Sequence, residues 1–131
     1  MSTSFVEYRG RGFWSWDGYL EHVLALLADH IGSSPKYEWL AQLRDHWNTQ
    51  SSGAFRGWVA PKLDEFLTSD ERREAVLALL EDIISQPSLT REAEQTARLL
   101  AALLRGQMNT DVSSPLDYMV SGPHPYKWSV E

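Results

Sequence analysis

Apolar residues recur at helical spacing in four stretches of the chain. In the first, Leu20, Val23, Leu24, Leu27 and Ile31 fall on one face of a helix running from Trp16 or Asp17 to His30. Ser15 stands where an N-cap is wanted, Asp17 complements the positive helix start, and Gly32 is a stop signal. The second helix opens at Ser34-Pro35, a cap followed by proline at the first helical position, and runs to about Asn48. Its stripe is Leu40, Leu43 and Trp47, with Trp39 alongside, and Thr49 to Gly53 reads as a loop.

From Ala54 the pattern weakens. Phe55, Trp58 and Val59 suggest one helical turn, and Ala60 marks a break because a residue before proline avoids the α region. Pro61 then opens a short helix bearing Leu63, Phe66 and Leu67. Thr68-Ser69-Asp70-Glu71 has the form of a capping box, with Thr68 and Glu71 as the reciprocal pair. The helix it starts reaches about Ser85. Val76, Leu79, Leu80 and Ile83 form its face, and Leu77 and Ile84 widen the stripe enough to predict the central helix of the fold. The last helix follows Thr90, ends at Arg105 and is capped by Gly106; Ala93, Ala97, Leu100 and Leu104 line it, flanked by Leu99 and Leu103.

The two ends lack this periodicity. Met1 to Ser15 reads as an extended arm in which Phe5, Val6 and Tyr8 suit a strand, with Gly10 and Gly12 as interruptions. The segment 107–131 reads as a tail pinned onto the body by Tyr126 and Trp128. The expected architecture is all-α: one domain over 1–131, a bundle of about five helices with an extended N-terminal arm and an irregular C-terminal tail. The length of 131 residues suits one domain, which buries roughly two-thirds of the surface its unfolded chain exposes.

Composition narrows the chemistry. With no cysteine, disulfides, thiolate metal sites and cysteine nucleophiles are excluded. The N-terminus has no apolar core, and the longest apolar run, Val23 to Ala28, is too short to cross a bilayer, so the expected location is the cytoplasm. A net charge of −6 disfavours binding to nucleic acid and suits a basic partner. The charge is uneven: Asp17, Glu21 and Asp29 stand in 17–34 without any Lys or Arg, and in 68–87 Asp70, Glu71, Glu74, Glu81 and Asp82 outnumber Arg72 and Arg73. If these helices pack side by side, their outer faces form a negative patch, for which the candidate contacts are Asp17, Glu21, Asp29, Glu74, Glu81 and Asp82.

No catalytic constellation emerges. His22, His30, His46 and His124 show no metal-ligand spacing, and no Gly-x-Ser-x-Gly is present. Gly10-Arg11-Gly12 lacks the context of a phosphate loop. The pairs Asp64-Glu65 and Glu81-Asp82 diverge on a helix and read as solvated faces. Arg9 and Arg11 stand among Tyr8, Phe13 and Trp14, where guanidinium packing over core aromatics is a simpler reading than stacking on bases. No cofactor and no metal are expected.

The opening from Tyr8-Arg9-Gly10-Arg11-Gly12-Phe13-Trp14-Ser15-Trp16-Asp17 into Leu20-Glu21 resembles that of small bacterial proteins, some of them similar to immunity proteins of polymorphic toxin systems. The resemblance implies a cytoplasmic, non-enzymatic helical protein that binds a toxin domain and occludes its active surface. It assigns no individual residue. Two other readings remain open. One is an enzyme or ligand-binding domain with a site assembled from His22, His46, Arg9 and Arg11, which a deep pocket holding two or more of them would favour. The other is a phage-encoded inhibitor that mimics DNA charge, with carboxylates in two phosphate-spaced rows.

Overall fold

A computed structural model of the chain describes residues 3–52 and 59–107. The helical turn expected around Phe55 and Trp58, and the docking of the tail through Tyr126 and Trp128, lie outside the described residues. The all-α expectation is corrected at the N-terminus. The arm is an antiparallel hairpin of β1 (Thr3–Tyr8) and β2 (Arg11–Trp16), so the protein is mainly helical with a two-stranded sheet. Val6 pairs with Phe13 and Tyr8 with Arg11. The connecting pair, Arg9 and Gly10, has φ of 51° and 81°, the type I′ geometry whose twist matches that of the strands.

The two glycines expected to break the strand instead build the hairpin. Gly10 supplies a left-handed turn position. At Gly12 a Cβ would lie 2.7 Å from the Phe5 ring and would collide with the Val6 carbonyl oxygen. A bare backbone at that point lets the aromatic ring close over it. Alternation does the rest: Ser4, Val6 and Tyr8 on β1 and Phe13 and Ser15 on β2 are buried, while Phe5, Trp14 and Trp16 occupy the other face and are half-buried. The Phe5 and Trp14 rings meet edge-on at 5.2 Å.

The helices are α1 (Asp17–Ile31), α2 (Glu38–Ser51), α3 (Leu63–Phe66), α4 (Asp70–Ile84) and α5 (Arg91–Leu104). Several boundaries shift for identifiable reasons. Ser15 belongs to β2 and donates to the Trp16 carbonyl, so α1 starts at Asp17 without a side-chain cap. The Ser34-Pro35 start does not form; residues 33–37 carry the chain from α1 to α2, which packs extensively on α1. At the other end α2 continues past Asn48. Thr49 and Ser51 donate to the Asp45 and Asn48 carbonyls, and buried Gln50 accepts the Ala60 N–H at 2.8 Å. At α4 the cap is Ser69, one residue later than expected, accepting the Arg72 N–H.

Two expectations for α5 hold closely. Thr90 accepts the Ala93 N–H as N-cap, and Gly106 at φ 72° ends the helix. The Gln107 N–H returns to the Ala102 carbonyl and the Gly106 N–H to Leu103, the paired bonds of a Schellman motif. The most buried helix is α5, not α4. Every residue of α5 from Leu99 to Leu104 is buried, because it packs against α4, α1 and β2, whereas α4 buries only Val76, Leu77, Leu80 and Ile83. Alanines at 93, 97, 101 and 102 let its neighbours approach on several sides.

One hydrophobic core runs from the inner face of the hairpin through the four long helices. Trp47 is its largest fully buried side chain, and its indole N–H donates to the Pro61 carbonyl at 3.0 Å. The core also holds polar groups in defined bonds. Ser4 Oγ donates to Asp17 Oδ1 at 2.6 Å and accepts the buried Val59 N–H at 2.8 Å, joining β1, the start of α1 and the segment before α3. Among the described residues no helix is long and apolar enough to cross a membrane.

Candidate functional site

The sequence pattern points to the acidic helices, and the structure sorts their carboxylates into unequal classes. Asp17 is buried and bonded to Ser4, so its carboxylate holds the hairpin to α1 and is not presented to a partner. Glu21 is half-buried, and Asp29, Glu74, Glu81 and Asp82 are exposed. The helices α1 and α4 are in contact, and His30 Nε2 lies 3.2 Å from Asp82 Oδ2 across them. The condition for a shared negative surface is therefore met near the C-terminal ends of α1 and α4.

On α4 the charge is segregated by face. At about 100° per residue, Asp70, Glu71, Glu74, Ala78, Glu81 and Asp82 share one arc, and all of them are exposed. The two arginines of the helix lie off that arc. Arg72 donates to the Phe66 carbonyl at 3.1 Å and sits 5.0 Å above the Trp39 ring, while Arg73 is turned to the flank nearest the hairpin. Asp70 and Glu71 belong to this face; the sequence counts them in the acidic balance of 68–87, but they are not among the candidate contacts. Their spacing relative to Glu74 carries the signal.

Ion pairs temper the face. Arg105 reaches Glu81 at 2.8 Å, Arg9 and Arg73 both approach Asp70, and Arg73 Nε stands 3.4 Å from Glu74. Each of these carboxylates is at least 60% exposed. Pairs this exposed contribute only about 0–1 kcal/mol and are readily exchanged for a partner's cations.

The alternative assembled site, His22 with His46, Arg9 and Arg11, does not come together as a set. His22 is exposed on α1. His46 donates to the Ala60 carbonyl at 2.7 Å and stacks on Phe66, so it holds the segment before α3 against α2. Arg9 and Arg11 do line a common cleft at the hairpin tip. Among the described residues no group of three His, Asp or Glu side chains has the geometry to hold a metal ion. A second, larger groove of about 500 Å³ runs between α1 and α2, where Asp29, Ser33 and Asn48 surround Arg44, whose guanidinium is held by Asp45 and the Gly32 carbonyl.

No protein-family model, no curated protein and no solved structure matches the chain.

Proposed function

We propose that this protein is a non-enzymatic inhibitor that acts in the cytoplasm by binding a basic protein domain, in the manner of an immunity protein that occludes a toxin's active surface. The observation that supports it best is the one-sided charge of α4: its carboxylates share one solvent arc, Arg72 is engaged off it by the Phe66 carbonyl, and Arg73 flanks it, pairing with Asp70 and Glu74 at its edge. The likeness of the Tyr8 to Asp17 opening to that of small bacterial proteins, some of them similar to immunity proteins, supports the same reading. Complementary charge of this kind accelerates encounter and selects the partner, while apolar anchors at the rim of the face supply most of the affinity. Half-buried Trp39, with Arg72 of α4 lying over its ring, is the aromatic candidate nearest α4.

The test is co-expression with the protein encoded beside its gene, tried first for toxicity on its own. Growth should be restored, and the purified pair should associate more slowly as salt rises. A Glu74→Gln, Glu81→Gln, Asp82→Asn triple variant should reduce the association rate at low salt by about tenfold or more. Absence of both a complex and protection would overturn the proposal.

A further inference from the structure

We propose that the cleft between the hairpin tip and the ends of α4 and α5 is a binding site for a small, multiply charged oxyanion, a phosphate or a polycarboxylate. Four of the chain's 12 basic residues, Arg9, Arg11, Arg73 and Arg105, line this one cavity of about 330 Å³ with Tyr8. Among the described residues lining it there is no carboxylate. In a protein of net charge −6, such a concentration of guanidinium groups from three separate elements runs against the overall balance.

The charges are layered. Asp70 is 76% exposed against 25% for Arg73, and Glu81 is 60% exposed against 39% for Arg105. In each of these two pairs the cation is less exposed than its carboxylate partner, which solvent screens more strongly. One carboxylate, Asp70, serves both Arg9 and Arg73, at 3.5 and 3.6 Å, distances beyond a strong hydrogen bond. Arg73 Nε is buried with no hydrogen-bond partner, since the Glu74 oxygen at 3.4 Å is out of line for one. A buried N–H left unpaired is costly, so the Arg73 guanidinium is not fully satisfied by its carboxylate neighbours.

Guanidinium forks match oxyanions bidentately, and the buried Leu103 and Leu104 behind them strengthen the attraction by lowering the local dielectric. The volume falls at the small end of ligand pockets, which suits a small molecule rather than a polymer backbone. Arg11 has a further task. It donates to the Gly106 carbonyl at 3.1 Å, covering the negative end of α5, so that this pole does not repel an entering anion.

The site is independent of the inhibitor reading and is tested without any partner protein. Pyrophosphate, inorganic phosphate and citrate are titrated calorimetrically into the full chain at constant ionic strength, with chloride as the control. Pyrophosphate should bind saturably at one site with Kd below about 1 mM. Tighter binding of pyrophosphate than of citrate identifies a phosphoryl ligand, and the reverse order a carboxylate ligand. Arg73→Gln and Arg105→Gln should each weaken binding at least about tenfold, while Arg98→Gln, on the exposed side of α5, should leave it unchanged. Circular dichroism checks folding, and if Arg73→Gln fails to fold, the exposed Arg105 decides alone. Absence of saturable binding by all three anions would overturn the proposal, as would equal weakening by Arg98→Gln and Arg105→Gln.

Discussion

Replacing Ser4 by alanine removes two hydrogen bonds that a hydrophobic core cannot replace. Ser4 is 1% exposed; its Oγ donates to Asp17 at 2.6 Å and accepts the Val59 N–H at 2.8 Å. The lost bond to an ionised carboxylate is worth about 1.5–3 kcal/mol, and a buried backbone N–H left without an acceptor costs about 1–3 kcal/mol. The methyl group of alanine fits the same space, so no cavity of consequence opens. The expected destabilisation is about 3 kcal/mol, which at an unfolding entropy of about 2.1 cal/mol/K per residue is roughly 10 °C in Tm for a domain of this size. Urea unfolding followed by tryptophan fluorescence measures it as a shift in midpoint at constant slope. The double variant Ser4→Ala, Asp17→Asn should cost less than the sum of the two single changes, because both remove the same bond. A loss below about 1 kcal/mol in Ser4→Ala would refute the reasoning, since it would mean that the Val59 N–H reaches water or another acceptor.

Three other outcomes are expected. Gly12→Ala should destabilise by about 1–3 kcal/mol or more in the same unfolding assay, because its Cβ meets backbone as well as the Phe5 ring. Arg9→Asn should leave Tm unchanged or raised, since asparagine tolerates φ 51° better than arginine and the pair lost, with Asp70, is exposed. Burial raises the Tyr8 phenol above its usual 10.0, with Arg9 and Arg73 opposing and Asp64 and Asp70 reinforcing the shift. The folded state therefore keeps this proton when the unfolded chain has lost it. The associated stability is full below pH 10 and is lost as pH rises through the folded value. Tyr8→Phe should flatten that alkaline loss in urea midpoints measured from pH 9 upward, at little cost at neutral pH, because its one bond, to the Leu67 carbonyl, is 3.4 Å long.

The helical part of the fold was legible because its signals are local. Thr90, Gly106 and the stripe Leu20-Val23-Leu24-Leu27 depend on residues within a turn or two of each other. The hairpin was not, although Tyr8-Arg9-Gly10-Arg11 holds its turn. Arginine is a poor residue at positive φ, and what keeps it there is remote: Asp64 accepts the Arg9 N–H at 2.9 Å from 55 residues away. The ranking of α4 above α5 failed for a related reason. Leucine and isoleucine advertise burial on one face, whereas the alanines of α5 acquire burial only from what packs against them. For the candidate surface, the charge of Glu74, Glu81 and Asp82 could be read from the chain, but the burial of Asp17 could not. Its partner, Ser4, lies in a segment that reads as extended but whose folding back into a hairpin against β2 the sequence does not reveal.

The deep burial of α5 bears on synthesis. Leu20, Leu24 and Leu80 leave the ribosome well before the helix that covers them, so the nascent chain carries open apolar surface until Leu104 has emerged. A chain truncated before Leu99 would lack Leu99, Leu100, Leu103 and Leu104 and leave the residues they cover exposed.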